Sequence, residues 1–160
     1  MFGMLVESRD FGSVARLVTP GLLIALTAAT VRAMCGAIEQ HRTGARNVPG
    51  RPPNWVFGIV WPVLYVCVGL AWRRAPRKLG LDWRFAALIG LCCAWLYVYS
   101  CASAKRMASA ILLATTLIAA SVIRSAYKAN VSEVWSLLLP FTLWVAFATY
   151  LNVYEAFLQN

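Results

Sequence analysis

Residues Pro52 to Tyr65 read P-P-N-W-V-F-G-I-V-W-P-V-L-Y, and the run continues without a charge to Trp72. Arginines 51 and 73 bracket it. A helix of about 20 apolar residues is as long as the hydrocarbon layer of a bilayer is thick. In water such a segment would have to be buried on every side. This chain of 160 residues is 61% hydrophobic and only 13% charged. A soluble domain is nearer half apolar and about a quarter charged. Too few charges remain to cover a soluble surface, so the apolar surface is expected to face lipid.

Five apolar segments separate along the chain, at about 14–38, 53–72, 83–102, 107–127 and 134–157. Each is long enough to span as a helix, the only open-chain form that satisfies its own backbone in lipid. The expected fold is an all-α membrane protein, a bundle of five transmembrane helices forming a single domain over residues 1–160. The loop from Glu39 to Arg51 is the longest connection, and Pro52 and Pro53 suit the first turn of the next helix. The other links are short, which forces successive helices antiparallel. Ser132 is placed to cap the fifth helix. The N-terminus, with Glu7, Arg9 and Asp10, lacks a cationic region followed by a cleavage site, so the first span is expected to remain.

The net charge of +9 would suggest nucleic acid in a soluble protein. Here the basic residues collect between apolar runs, where they meet headgroups and set topology. Arg9, Arg16, Arg73, Arg74, Arg77, Lys78, Arg84, Arg124 and Lys128 fall on one side, and Arg32, Arg42, Arg46, Arg51, Lys105 and Arg106 on the other. The nine-to-six excess puts the N-terminus on the positive-inside face. Membrane lipids are the expected surroundings and nucleic acid is not an expected partner.

No catalytic set is visible. The one histidine, His41, has no obvious cysteine or carboxylate partner. The carboxylates Glu7, Asp10, Glu39, Asp82, Glu133 and Glu155 all lie near span ends, so no proton relay or ion path is expected. Cys35, Cys67, Cys92, Cys93 and Cys101 have no zinc-like spacing and are odd in number. They are expected to act as small apolar residues rather than as a disulfide framework or a metal site.

Two aromatic stripes carry the functional signal. Phe57, Trp61 and Tyr65 recur every four residues on the second helix, with Trp55 and Trp72 at the two interfaces. Pro140, Trp144, Ala148 and Asn152 repeat the spacing on the fifth. Were the two faces to meet, they would enclose an aromatic cleft with few polar atoms, suited to a flat hydrophobic molecule. Helix packing alone accounts for the same spacing. On the third helix Ala86, Gly90 and Ala94 form a small-residue stripe, either a homodimer face or an internal contact.

Taken together, the chain resembles the translocator protein or tryptophan-rich sensory protein (TspO/MBR) family over nearly its whole length. The segment at 52–65 resembles the family's most characteristic stretch. K-R-M-A-S-A at 105–110 is similar to its third-to-fourth helix turn. L-L-P-F-T-L-W-V-A-F-A-T-Y-L-N at 138–152 is similar to its fifth helix, with Phe141 in place of a usual tyrosine. The resemblance implies a non-enzymatic receptor or transporter binding tetrapyrroles, heme or protoporphyrin IX, or sterol-like ligands such as cholesterol. No cofactor is required, and frequent homodimers are implied. It further implies the mitochondrial outer membrane in a eukaryote or the cell envelope in a bacterium. The implied pocket residues are Phe57, Trp61, Tyr65, Trp144, Ala148 and Asn152. A porphyrin-degrading photo-oxidative enzyme and a ligand-poor stress-regulatory scaffold are the alternatives.

Three departures from the family pattern stand out. Aligned through Lys105 to Met107, the third-helix positions usually held by Gln, Asn and Trp carry Gly90, Ala94 and Tyr97, with Trp95 close by. The first loop lacks its usual tryptophans, reading R-N-V-P-G-R at 46–51. Leu151 and Tyr154 begin a cholesterol-type motif that no basic residue completes.

Overall fold

The computed structural model describes residues 2–35, 48–102 and 104–157, with side chains from residue 12 onward. It contains five long helices: α1 (Phe2–Cys35), α2 (Asn54–Arg74), α3 (Asp82–Ser100), α4 (Lys105–Lys128) and α5 (Ser132–Phe157). All five are long and apolar enough to cross a membrane. Val14, Leu22, Ile59, Val63, Leu117 and Leu143 are among the many large apolar side chains left on the outside. That is the expected surface of a bundle whose solvent is lipid.

The expected spans differ from the helices only at their ends. The first helix begins at Phe2 rather than Val14, because Glu7, Arg9 and Asp10 resist lipid but not helix formation. The expected end at Ile38, and with it His41, lies outside the described residues. Pro53 sits one residue before α2 rather than inside it, with extended backbone at ψ 150°. Lys105 and Arg106 belong to the first turn of α4.

The turn from α4 to α5 shows how the chain reverses so sharply. Val131 N–H donates to Ala126 O at 2.9 Å and Asn130 N–H to Tyr127 O at 3.0 Å, closing a Schellman motif. Asn130 takes the left-handed conformation this requires, at φ 56°. Asparagine tolerates it better than most side chains because its short polar arm bonds locally.

The helices pack in the circuit α1–α2–α5–α4–α3 and back to α1, while α2 and α3 touch only slightly. The tightest packing joins α4 and α5. Ala108, Ala119 and Ala126 of α4 are fully buried, as are Leu138 and Val145 of α5. Small residues let the two backbones approach, which drives helix association in lipid. Near the basic end, Trp72 stacks on Phe85 at 5.7 Å and donates from Nε1 to Asp82 Oδ1 at 2.6 Å, tying α2 to the start of α3.

At the opposite end Cys35 and Cys101 are joined by a disulfide, with their Cα atoms 5.3 Å apart. This corrects the expectation that all the cysteines act as small apolar residues. Cys67, Cys92 and Cys93 do remain free thiols. The pair lies 66 residues apart in sequence and meets only because α1 and α3 end side by side.

Candidate functional site

Where α2 and α3 fail to close on each other, the bundle holds a cavity of about 130 Å³. Phe57 and Trp61 of α2, Trp95 and Tyr99 of α3, and Ala148 and Asn152 of α5 form its walls. Arg51 and Ser100 close its end toward the first loop. There the last loop residues are seated by the Arg51 N–H to Val48 O bond and by Tyr150 Oη, 3.4 Å from Pro49 O. The Arg51 guanidinium lies 5.4 Å from the centre of the Phe57 ring, a cation–π placement.

That end of the cavity is polar in an otherwise apolar bundle. Tyr99 Oη donates to Glu155 Oε2 at 3.0 Å, and Lys105 Nζ stands 2.9 Å from Glu155 Oε1. Glu155 is 3% exposed, so the lysine offsets the charge of a carboxylate that lipid would not tolerate alone, while the tyrosine bonds one of its oxygens and the other accepts no hydrogen bond among the described residues. Asn152 Nδ2 donates to Ala148 O at 3.2 Å and its Oδ1 faces Trp95 Nε1 at 3.4 Å. Ser100 Oγ is buried and has no partner among the described residues. An unmet buried hydroxyl costs about 1–3 kcal/mol, which a ligand offering the complementary group recovers.

A second hollow, of about 490 Å³, opens sideways among α1, α2 and α3. Gly21, Ala25 and Ala28 of α1 and Gly58 of α2 make the room. Trp61, Tyr65 and Trp95 furnish its floor, which is almost wholly apolar. The two hollows share Phe57, Trp61, Trp95 and Leu96. Trp61 is at their junction, 5.5 Å from Tyr65 and 5.7 Å from Trp95, and Trp95 is 5.4 Å from Tyr99. Four rings thus form a continuous ladder from mid-span toward the polar end.

The sequence-derived residues fall into three groups. Phe57 and Trp61 line both hollows, Tyr65 the lateral one, and Ala148 and Asn152 the inner one. Trp144 lines neither. It packs behind the wall, 5.6 Å from Phe57, 6.4 Å from Trp61 and 5.6 Å from Phe147. Each four-residue step turns about 40° past a full turn, which sets Trp144 about 80° around the helix from Asn152 and Pro140 about 120°. Pro140, at the far end of that stripe, is exposed.

On α3 the small-residue stripe faces outward. Ala86, Gly90 and Ala94 are all exposed, and nothing lies within 4 Å of a side chain built on Gly90. Tyr97, aligned with the family tryptophan, is 53% exposed. Trp95 points into the cavity instead, two residues from the position that alignment through Lys105 indicates. The stripe and the cavity therefore occupy different faces of one helix. Trp95, Tyr99, Ser100 and Arg51 are among the lining residues that spacing did not single out. The first two were visible only as aromatics, and a lone polar residue at a helix end leaves no periodic signal.

Among the described residues no group of three or more His, Cys, Asp or Glu is placed to hold a metal ion. Comparison with known families matches residues 18–157 to the TspO/MBR family. No curated protein matches the chain.

Proposed function

Because this chain belongs to the TspO/MBR family and is an integral membrane protein of five apolar helices, we propose that it is a receptor or carrier for a flat, carboxylate-bearing hydrophobic ligand. A tetrapyrrole such as protoporphyrin IX or heme is the class meant. The observation that carries the reading is the shared Trp61–Trp95 wall between an apolar groove and a polar-ended cavity. Sites for ligands of drug size hold roughly 300–1,000 Å³. The inner cavity, at about 130 Å³, is too small alone, whereas the lateral groove, at about 490 Å³, is within that range. The ring system lies in the groove against Trp61, and an acidic edge reaches through to Arg51 and Ser100. A neutral sterol leaves Arg51 and Ser100 without an acidic partner, so it is the weaker ligand. The outward Ala86, Gly90 and Ala94 face is the proposed homodimer seam.

Tryptophan-fluorescence quenching on the purified protein tests this with protoporphyrin IX and its dimethyl ester. Trp61→Ala removes a buried aromatic contact and weakens both ligands by about 1–3 kcal/mol, roughly 5- to 150-fold. Arg51→Ala weakens the free acid and leaves the ester unchanged. Equal affinity of wild type and Trp61→Ala for both ligands rejects the site.

The four-ring ladder favours a second reading, photochemical oxidation of the bound ring in air. Illuminating the complex then yields a new product spectrum, which disappears in Trp61→Phe/Trp95→Phe. An unchanged porphyrin spectrum rules out that turnover.

A further inference from the structure

A third hollow, of about 340 Å³, opens at the other end of the molecule. Gly12, Ser13 and Arg16 of α1 face Arg73 and Ala75 at the end of α2 and Arg77 in the following 3₁₀ turn (Arg77–Leu79). Three guanidiniums from three segments thus enter one space. Their partners are unequal. Arg16 is 2.8 Å from Asp82 Oδ2, and the other oxygen of that carboxylate is taken by Trp72 Nε1. Arg73 Nε donates to the neutral Ser13 Oγ at 2.8 Å. Arg77 rests against the α1 backbone, where a side chain at Gly12 would meet its Nη2 at 3.4 Å, and it has no ion pair among the described residues. Among the described residues one carboxylate therefore faces three cations, and the fork geometry of guanidinium matches a phosphate better than a point charge does.

The position bears on what fills the space. The charge-free runs of α1 (residues 17–31) and α2 (residues 52–72) both stop at this hollow, which puts it level with the headgroups. The charge bias puts this end on the inside face, where anionic lipids concentrate.

We propose that Arg16, Arg73 and Arg77 form a binding site for a phosphate oxyanion, separate from the aromatic cavity. The phosphate comes from an anionic phospholipid headgroup or from solution, and the test separates the two. Native mass spectrometry of the full chain, released from detergent with dioleoyl phosphatidic acid or phosphatidylcholine, gives the lipid arm. Thermal unfolding in lipid-free detergent with inorganic phosphate, against chloride at equal ionic strength, gives the solution arm. A headgroup site retains one phosphatidic acid several-fold better than phosphatidylcholine. A site for dissolved phosphate shows a saturable rise in melting temperature at millimolar phosphate. Either response falls at least fivefold in Arg73→Gln/Arg77→Gln and persists in Lys78→Gln/Lys128→Gln, which removes the same charge from exposed positions outside the hollow. The two wild-type arms need no variant, so poor folding of the arginine pair leaves the proposal testable. No preference in either arm overturns it, and that is the result if Glu7 or Asp10 of this chain neutralises the arginines. Equal loss in both double variants also overturns it, by reducing the effect to diffuse surface charge.

Discussion

Ala148→Trp is expected to weaken protoporphyrin IX binding at least tenfold while the protein still folds. Ala148 is 4% exposed and lines the inner cavity, where its methyl group leaves the room that an acidic ligand edge would enter. An indole at this position fills a space of only about 130 Å³ and separates the lateral groove from Arg51 and Ser100. Filling an existing void costs less than overpacking a dense core, because fewer atoms need to move. The expected loss is tenfold or more, about 1.4 kcal/mol at least. Quenching titration measures the loss, and size-exclusion elution with far-UV circular dichroism checks folding. Wild-type affinity in a folded Ala148→Trp protein places the ligand elsewhere.

The largest stability effect is expected at Gly69. This buried residue is where α2 meets α1, and a side-chain carbon built there would lie 2.2 Å from the Leu17 carbonyl oxygen and 3.1 Å from its carbon. These are backbone atoms, so no rotamer change relieves the clash, and α1 must move away. Overpacking of this kind costs about 1–3 kcal/mol. On the scale of a protein this size, a loss of about 3 kcal/mol lowers the melting temperature by roughly 6–12 °C. Gly69→Ala is expected to show part of this drop and Gly69→Leu all of it or more. Gly58→Ala is the control, because nothing lies within 4 Å of a side chain at that lining glycine. Since α1 forms one wall of the groove, Gly69→Leu also weakens ligand binding, whereas Gly58→Ala melts like the wild type. A Gly69→Leu protein as stable as the wild type would contradict the close α1–α2 crossing.

How much was legible in the sequence follows from which signals are local. The five spans are legible because lipid demands a long uncharged run from each helix, and that demand is met within one segment. Phe57, Trp61, Ala148 and Asn152 were legible because they sit one turn from a neighbouring lining residue. Trp144 continues the same stripe but lies behind the wall, since the drift of about 40° per step turns it away from the cavity. The α3 face was missed because alignment through Lys105 emphasised Gly90, Ala94 and Tyr97, which point outward. The disulfide, the seat of Ser100 and the three-arginine hollow all depend on segments that meet only in the folded bundle. No spacing within a single helix encodes such meetings.

Whether the Trp61–Trp95 wall holds the ligand is tested most directly by a cross-link map. A photoreactive protoporphyrin IX derivative is bound to the wild-type protein in lipid nanodiscs and irradiated, and the labelled peptides are sequenced. Labels are expected to concentrate at 57–66 on α2 and 95–100 on α3 and to be suppressed by excess unmodified protoporphyrin IX. Labels spread over outward residues such as Leu113, Leu117 and Leu143, insensitive to competitor, would contradict that placement.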